Sequence, residues 1–367
     1  DALAAMSPAA GAWFAGAFEA PTPAQIGAWK AIRSGDSALV IAPTGSGKTL
    51  AAFFSALDEL STRNTAQGRP AREQRTSVLY ISPLKALAVD VQRNLRAPLA
   101  GLRQEAARLG GQPPDITVGL RTGDTPPDER RRLARTPPDI LITTPESLFL
   151  LLTSAARESL RGVRTVIIDE IHAVAGTKRG AHLAVSLERL DALLPGPAAR
   201  IGLSATVRPA SEMARFLGGG RPVRIVAEPA QKELDISVIV PVEDLGELGP
   251  TLAAPDGSVA GAAAGSAGSI WPHVEERVAD LIAEHHSTLV FVNSRRLAER
   301  LTSRLNEIAA DRAAPAADAT APVIARAHHG SVSKEQRALI EEDLKAGRLP
   351  AVVATSSLEL GIDMGEV

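Results

Sequence analysis

Residues 42–49, with the sequence APTGSGKT, limit what this chain can fold into more than any other stretch. An apolar run at residues 38–41 precedes them, and apolar side chains recur at helical spacing behind them, at Leu50, Phe53, Phe54 and Leu57. The pattern predicts a buried parallel strand, a loop and a helix. In that setting the glycines let backbone N–H groups turn toward phosphate oxygens, and the helix N-terminus adds a positive partial charge. We therefore interpret the segment as a phosphate-binding loop.

Two side chains of this loop are expected to contact a nucleotide and its metal ion. Lys48 would reach the β- and γ-phosphates, and the hydroxyl of Thr49 is placed to ligate Mg²⁺. Ala42 stands where such loops usually have their first glycine, and we interpret it as a tolerated small residue. The predicted cofactors are ATP and Mg²⁺.

The composition narrows the class of protein. With 367 residues, 45% of them hydrophobic and 22% charged, the chain is long enough for two globular domains. The net charge of −2 gives no overall signal for nucleic acid, so any binding groove must be local. The sequence has no cysteine, which excludes disulfides and thiolate metal sites within it. No apolar run approaches membrane-spanning length and no signal-peptide pattern is visible, so we expect a cytoplasmic protein without a membrane partner.

Strand and helix patterns alternate through the first part of the chain. Apolar strands are predicted at residues 78–81, 116–120, 140–142, 166–168 and 201–203. A polar motif follows each of them, namely SPLKAL, RTGD, TTPES, DEIH and SAT. Alternating strands and helices predict a parallel sheet covered on both faces, and ligands bind at the carboxyl edge of such a sheet.

A second alternating series follows, with strands predicted at residues 289–292, 323–327 and 351–354. Residues 244–269 are rich in Gly and Ala and are interpreted as a flexible insertion. Because residues 234–240 already have a strand pattern, we place the domain boundary near residue 230. The fold class is therefore α/β, with one domain at residues 1–230 and a second at 231–367.

Asp169 and Glu170 end an apolar strand downstream of the phosphate loop. In a nucleotide hydrolase, the first carboxylate would hold Mg²⁺ and the second would orient and deprotonate the attacking water. The alternative is a pair of surface acids at the start of a helix, where negative charge is stabilising. The preceding GKT loop favours the catalytic interpretation.

Gln25 follows a proline-rich turn near Phe18. A glutamine amide offers the donor and acceptor that the edge of adenine requires, and an aromatic ring can stack on a purine. The alternative is a turn that simply caps a helix over residues 25–32.

Nine motifs occur in a fixed order: GSGKT, SPLKAL, TGD, TTPESL, DEIH, SAT, LVFVNSRR, HHGSVS and TSSLELGIDMG. This series resembles the superfamily-2 helicases, and most of all the bacterial Lhr type of ATP-dependent DNA translocase. The DEIH box, residues 176–182 and residues 357–363 carry the likeness to Lhr. The resemblance covers almost the entire chain. It implies two RecA-like P-loop domains, each a mainly parallel sheet flanked by helices, the first with motifs Q to III and the second with motifs IV to V and incomplete.

The resemblance also assigns roles around the nucleotide. Lys48, Asp169, Glu170 and His172 would be catalytic, with Thr49 and Asp169 holding Mg²⁺. His172, Ser204 and Thr206 would couple hydrolysis to movement. The residues that would bind ATP and its metal are Gln25, Thr44, Gly45, Ser46, Gly47, Lys48, Thr49, Asp169, Glu170, Gly361 and Asp363.

A third group of residues would hold a single strand of nucleic acid by its phosphates. Hydroxyls, backbone amides and a few basic side chains grip phosphate without selecting a base sequence. Taken singly, Thr122, Thr143 and Ser204 could equally be helix N-caps. The arginines at residues 130–132 and 135 are interpreted as a solvated helix face. The predicted strand-binding residues are Lys85, Thr122, Gly123, Thr143, Thr144, Asn293, Arg295, His329, Ser331 and Thr355.

The chain ends at Val367, before the arginine-bearing motif VI that the family carries next. An arginine finger contributes on the order of a thousandfold or more to turnover, so this portion alone is expected to be a poor ATPase. We expect a longer parent chain whose C-terminal domains include a winged helix.

The leading hypothesis is a 3′-to-5′ translocase on single-stranded DNA that unwinds duplex DNA or RNA:DNA hybrid, in DNA repair at a bacterial nucleoid. One alternative is an RNA helicase of the same superfamily, because the gripping residues suit either polymer. Another is an ATP-gated clamp that remodels nucleic acid without unwinding it. A metabolic P-loop kinase is disfavoured because the second domain repeats the α/β pattern.

Overall fold

The computed structural model describes residues 3–43, 46–67, 70–205, 207–227, 235–242, 269–313, 322–355 and 358. The chain divides into two compact units, Asp1–Gln231 and Lys232–Val367. In the part of the chain that the structure describes, no helix is both long enough and apolar enough to span a bilayer.

Unit 1 opens with helices α1 (Pro8–Ala17) and α2 (Pro23–Arg33), after which strands and helices alternate. Two 3-10 helices, Arg72–Gln74 and Ala155–Leu160, lie in the connections. The alternating elements are β1 (Ser37–Ile41), α3 (Lys48–Gln67), β2 (Val78–Ile81), α4 (Lys85–Asn94), α5 (Arg96–Arg108), β3 (Val118–Arg121), α6 (Pro127–Arg135), β4 (Ile140–Thr143), α7 (Pro145–Leu152), β5 (Thr165–Ile168), α8 (His172–Ala175), α9 (Lys178–Asp191), β6 (Ala199–Ser204), α10 (Ala210–Gly218) and β7 (Val223–Ala227).

These seven strands form one sheet in the order β3-β4-β2-β5-β6-β1-β7. Every neighbouring pair is parallel. Strands β2, β4 and β5 are buried at every position. A strand that is covered on both faces needs apolar side chains throughout, which explains the continuous apolar runs in the sequence.

The core of unit 1 consists of two apolar clusters, one on each face of the sheet. Val40, Tyr80 and Ile167 point into one cluster, whereas Leu39 and Leu79 point into the other. This alternation follows from the two-residue period of a strand. The structure therefore confirms the predicted α/β class, with helices flanking a parallel sheet.

Unit 2 contains a three-stranded parallel sheet in the order β8-β10-β9. Helix α12 packs on β9 and β10 through an apolar cluster that includes Leu301, Leu305 and Val353. The elements are α11 (Trp271–Glu284), β8 (Thr288–Phe291), α12 (Arg295–Arg312), β9 (Ala325–His328), α13 (Lys334–Lys345) and β10 (Ala351–Ala354).

The strand expected over residues 234–240 is wrong for the part that is described. Residues 235–242 form no strand, and Ile236 and Val238 are 81% and 92% exposed. Alternating β-branched residues favour an extended backbone, but a strand also needs a partner to accept its hydrogen bonds. Of the insertion at residues 244–269, only Ser269 lies within the described residues.

Candidate functional site

The phosphate loop joins the end of β1 to the start of α3. Gly47 has a φ of 78°, a left-handed conformation that favours glycine. The Lys48 ammonium donates a hydrogen bond to the carbonyl of Ala42 at 2.7 Å, and Ser46 Oγ donates to the carbonyl of Pro43 at 2.7 Å. The Lys48 ammonium thus bonds to Ala42, the first residue of the predicted loop. Thr44 and Gly45, also predicted here, lie outside the described residues.

The pKa of Lys48 reflects its burial and two nearby acids. Lys48 is 8% exposed, and burial lowers the pKa of its ammonium, while the carboxylates of Glu170 and Asp169 act in the opposite direction. The ammonium therefore lies within the electrostatic reach of both acids at the end of β5. The two halves of the predicted nucleotide site are brought together.

Gln25 connects α2 to the phosphate loop. Its amide oxygen accepts from the Thr22 backbone N–H at 3.0 Å, and its Nε2 donates to the Gly47 carbonyl at 3.5 Å. Thr22 Oγ1 accepts from the Gln25 N–H at 3.3 Å, which completes a capping box. The helix begins at Pro23, two residues before the expected start, because proline is well suited to a first turn. Gln25 therefore helps to hold the phosphate loop in place through its bond to Gly47. Its contact with adenine stays a prediction.

Asp169 and Glu170 follow β5 directly, and they are 8% and 6% exposed. The Tyr80 hydroxyl donates a hydrogen bond to Asp169 Oδ2, and the Glu170 N–H donates to Asp169 Oδ1 at 2.9 Å. Glu170 has a φ of 42°, which is unusual for a residue with a side chain and is found most often at functional sites. The carboxylate of Asp169 is therefore held from two sides.

Burial raises the pKa values of both acids. The pKa of Glu170 rises to about 7, through burial first and the charge of Asp169 second, with Lys48 opposing. Burial also raises the pKa of Asp169, while its hydrogen bond from Tyr80 acts against the shift. Two buried carboxylates close together favour a cation between or beside them.

The oxygen donors present fit Mg²⁺. This ion usually takes one or two carboxylates and completes its shell with water and phosphate oxygens. The Thr49 hydroxyl, in the first turn of α3, and the Asp169 carboxylate would hold it. Among the described residues there is no cluster of three or more acidic or histidine side chains that could hold a metal alone.

His172 opens α8 and faces β6. Its Nδ1 lies 3.1 Å from Ser204 Oγ and 3.3 Å from Glu170 Oε2. Burial lowers the pKa of His172, which favours the neutral imidazole. The structure thus brings together two of the three predicted coupling residues, while Thr206 lies outside the described residues.

The residues of unit 1 that are predicted to bind a nucleic-acid strand lie at or just after the carboxyl ends of β2, β3 and β4. The Lys85 ammonium lies 2.5 Å from Asp124 Oδ1. It is also close to Gly123, since a Cβ added to that glycine would lie 3.4 Å from Lys85 Nζ. Thr122 Oγ1 accepts from the Asp124 N–H at 3.2 Å, and Thr143 Oγ1 donates to the Arg121 carbonyl at 2.8 Å.

Thr144 is the N-cap of α7, since its Oγ1 accepts from the Ser147 N–H at 3.4 Å. These hydroxyls therefore fix the shape of the loops. The N-cap alternative raised for Thr122, Thr143 and Ser204 is wrong for all three, because Pro126, Thr144 and Pro209 are the N-caps of α6, α7 and α10. Direct contact between any of them and a nucleic-acid strand stays a prediction.

A second predicted group assembles within unit 2. Arg295 Nη1 donates to Ser331 Oγ at 2.8 Å, and the Ser331 N–H donates to His329 Nδ1 at 3.2 Å. His329 Nε2 lies 2.7 Å from Glu299. Asn293 is exposed after β8, and Thr355 follows β10. Gly361 and Asp363 lie outside the described residues.

Three residues of this region had no correct role in the sequence analysis. Tyr80 is the only tyrosine of the chain and stands in an otherwise aliphatic strand, which was a signal for a buried hydroxyl with a partner. Arg179 lies in the motif at residues 176–182, which received no role. The solvated-face interpretation is wrong for Arg130, which donates to the carbonyls of Thr125 and Gly123 at 2.7 and 2.8 Å. Arg131 and Arg132 are exposed, as expected.

Comparisons with known proteins identify the family of this chain. A family model described as DEAD/DEAH box helicase matches residues 22–214, and one described as helicase conserved C-terminal domain matches residues 273–367. The Lhr helicase/probable uracil glycosylase of Mycolicibacterium smegmatis is 59% identical over 391 residues, covering 100% of this chain and 24% of the relative. The Lhr helicase/uracil glycosylase of Escherichia coli is 55% identical over 382 residues, covering 98% and 25%.

A solved structure of Mycobacterium smegmatis helicase Lhr bound to ssDNA and AMP-PNP has a TM-score of 0.83 to this chain at 61% identity, covering 100% of this chain and 44% of that one. The chain spans about a quarter of the length of these two curated relatives. The order of the motifs, the parallel sheets and the sequence identities all indicate the same family. The chain belongs to the DEAD/DEAH box helicase family and is homologous to the Lhr helicases.

Proposed function

We propose that this chain forms the ATP-hydrolysing part of a translocase that moves 3′ to 5′ along single-stranded DNA. The parent protein would unwind duplex DNA or RNA:DNA hybrid, and would act in DNA repair at the nucleoid. The observation that carries the proposal is the meeting of Lys48, Asp169 and Glu170 at one edge of the sheet, all three less than 10% exposed. The ssDNA and AMP-PNP bound to the Mycobacterium smegmatis relative support the choice of polymer and nucleotide.

The residues of unit 1 have distinct tasks in hydrolysis. The loop at residues 42–49 and the Lys48 ammonium would bind the phosphates, and Gln25 would hold the loop in place. A bound Mg²⁺ would neutralise developing charge on the phosphate oxygens. Tyr80 and the Glu170 N–H orient the Asp169 carboxylate that would hold this ion.

Glu170 is the proposed general base. Its pKa of about 7 is close to neutral pH, where a base takes up a proton most effectively. It would accept the proton of the attacking water while His172, 3.3 Å from its Oε2, connects it to Ser204. We assign to this His172–Ser204 contact the coupling between hydrolysis and movement.

The strand-binding loops would grip phosphates and ignore base identity. Lys85 supplies a charge, and the loops after β3 and β4 supply hydroxyls and backbone N–H groups. Contacts of this kind suit a motor that must move along any sequence. Unit 2 would add its own group around Arg295, Ser331 and His329.

The proposal is tested by ATP hydrolysis of the full-length parent protein with no polymer, with single-stranded DNA, and with single-stranded RNA of matched sequence. Stimulation by DNA alone is expected, followed by displacement of a strand from a duplex with a 3′ tail and not from one with a 5′ tail. Equal or greater stimulation by RNA would replace the proposal with an RNA helicase. Stimulation without strand displacement would indicate a remodelling clamp, and no stimulation by either polymer would refute the strand-binding loops.

A further inference from the structure

Arg179, in the first turn of α9, bridges two loops that are far apart in sequence. Its Nε donates to Glu146 Oε1 at 2.6 Å, and its Nη2 donates to the Pro83 carbonyl at 2.9 Å. Pro83 lies two residues before Lys85, and Glu146 lies two residues after Thr144. A planar guanidinium with several fixed donors can hold two such partners at a defined distance, which an ammonium cannot do.

The bond to Glu146 carries charge. Burial favours the neutral form of this carboxyl, but the hydrogen bond and the charge of Arg179 outweigh it and lower the pKa of Glu146. Both side chains remain about half exposed, at 45% and 55%. The bridge is therefore formed at the surface of the sheet edge, where an arriving strand would lie against it.

The other side of Arg179 is tied to the hydrolysis motif through the backbone. The Ala173 N–H donates to the Glu170 carbonyl at 2.8 Å, and the Thr177 N–H donates to the Val174 carbonyl at 2.9 Å. The Thr177 hydroxyl donates to the same carbonyl at 2.7 Å and accepts from the Gly180 N–H at 3.1 Å.

Helices α8 and α9 also approach each other closely. A Cβ added to Gly180 would lie 2.1 Å from the Val174 carbonyl oxygen, so this approach requires glycine. The two helices and the turn between them therefore form one stiff piece, with Glu170 just before α8 and Arg179 just after the turn, in the first turn of α9.

We propose that Arg179 is a positioning residue that couples the strand-binding loops after β2 and β4 to the carboxylates of Asp169 and Glu170. A nucleic-acid strand that binds these loops fixes the positions of the Pro83 carbonyl and Glu146. Arg179 contacts both groups, so its own position is fixed as well, and α9 and α8 connect it to Glu170. The inference rests on the proposed function, and it adds the route by which a bound strand stimulates hydrolysis.

The test uses the full-length protein and compares R179Q and R179K with the wild type. Three quantities are measured: hydrolysis without polymer, the maximal rate with saturating single-stranded DNA, and the DNA concentration at half-maximal rate. R131Q is the matched control, since Arg131 is an exposed arginine that pairs with Asp128 within α6.

Hydrolysis without polymer is expected to be unchanged in R179Q, whereas the maximal stimulation by DNA falls by about tenfold, within the usual range of coupling between sites. R179K should be intermediate, and R131Q should match the wild type. E146Q keeps an oxygen acceptor but removes its negative charge, which weakens the bond from Arg179 and should lower stimulation in the same direction. The double variant R179Q/E146Q should be no worse than R179Q, because both changes break one connection.

Several results would overturn the proposal. Wild-type stimulation in R179Q would refute the coupling role alone, provided that the wild-type protein is stimulated by DNA. Equal loss of basal and stimulated rates in R179Q, R179K and E146Q would indicate a structural role and also refute it. If R179Q does not fold, E146Q and R179K decide between these outcomes. A wild-type protein that DNA does not stimulate would refute the proposed function, and the coupling role with it.

Discussion

The hydroxyl of Tyr80 donates a hydrogen bond to Oδ2 of Asp169 across two neighbouring strands of the sheet. Strands β2 and β5 pair in parallel with Tyr80 opposite Ile167. Asp169 comes two residues after Ile167, just past the end of β5, so its carboxylate lies beside the phenol of Tyr80. The ring of Tyr80 is fully buried and stacks on Phe53 at 5.1 Å between centroids. A ring packed in this way cannot turn aside, so the direction of its donor is fixed toward the carboxylate that would hold Mg²⁺.

Replacing Tyr80 with Phe keeps the packed ring and removes the donor. We expect the Mg²⁺ concentration at half-maximal ATP hydrolysis to rise about tenfold, because groups that orient a metal ligand are usually worth that much in metal affinity. The measurement is a Mg²⁺ titration at saturating ATP with the full-length protein. ATP binding without metal should be unchanged, and an unaltered Mg²⁺ requirement would show that Asp169 needs no help from Tyr80.

Replacing Lys48 with Ala removes the buried ammonium that donates to the Ala42 carbonyl. We expect loss of nucleotide binding, of about a hundredfold or more, since one charge-assisted contact with a phosphate contributes roughly 1.5–3 kcal/mol and Lys48 would reach two phosphates. Titration with a fluorescent ATP analogue measures the affinity directly. Wild-type affinity in this variant would undermine the interpretation of residues 42–49 as a phosphate loop.

Replacing Glu170 with Gln keeps the shape of the side chain but removes its ability to take a proton. ATP binding should be kept, while single-turnover hydrolysis falls by about a hundredfold to ten-thousandfold, the usual contribution of a general base. A matched control is E73Q, because Glu73 is an exposed glutamate in a connection. Unchanged hydrolysis in E170Q would remove Glu170 from the role of base.

The main features of the fold and of the nucleotide site could be predicted because their signals are local. A buried parallel strand needs a continuous apolar run, and a phosphate loop needs glycines before a helix, so residues 38–49 show both within twelve positions. The acids at Asp169 and Glu170 follow another such run. The parallel sheet and its polar carboxyl edge follow from these patterns.

The contacts that orient the site could not be predicted because they join distant positions. The Tyr80–Asp169 bond spans 89 residues, and the bonds of Arg179 to Glu146 and Pro83 span 33 and 96. Such pairs depend on the strand order β4-β2-β5, which no local pattern specifies. The same reason explains the failed strand over residues 235–240, whose alternation indicates an extended backbone but not a pairing partner.

The raised pKa of Glu170 makes a prediction for stability in the absence of nucleotide and Mg²⁺. The folded protein holds a proton on Glu170 up to a pKa of about 7, whereas the unfolded chain releases it near 4.5. Between these values the unfolded state binds fewer protons, so the free energy of unfolding falls as the pH rises. The loss attributable to Glu170 is at most about 3 kcal/mol, and it is complete above pH 7.

Glutamine at this position does not titrate, so E170Q should escape that loss. Relative to the wild type, E170Q should be more stable at pH 8 than at pH 4.5, with the difference between the two pH values approaching about 3 kcal/mol. Urea unfolding of both proteins at the two pH values gives the comparison, with E73Q expected to differ from the wild type by the same small amount at each. An E170Q effect of equal size at both pH values would mean that burial does not hold the proton on Glu170. Because added Mg²⁺ and ATP would favour the charged carboxylates, they should shrink the difference, which links the stability measurement to the proposed site.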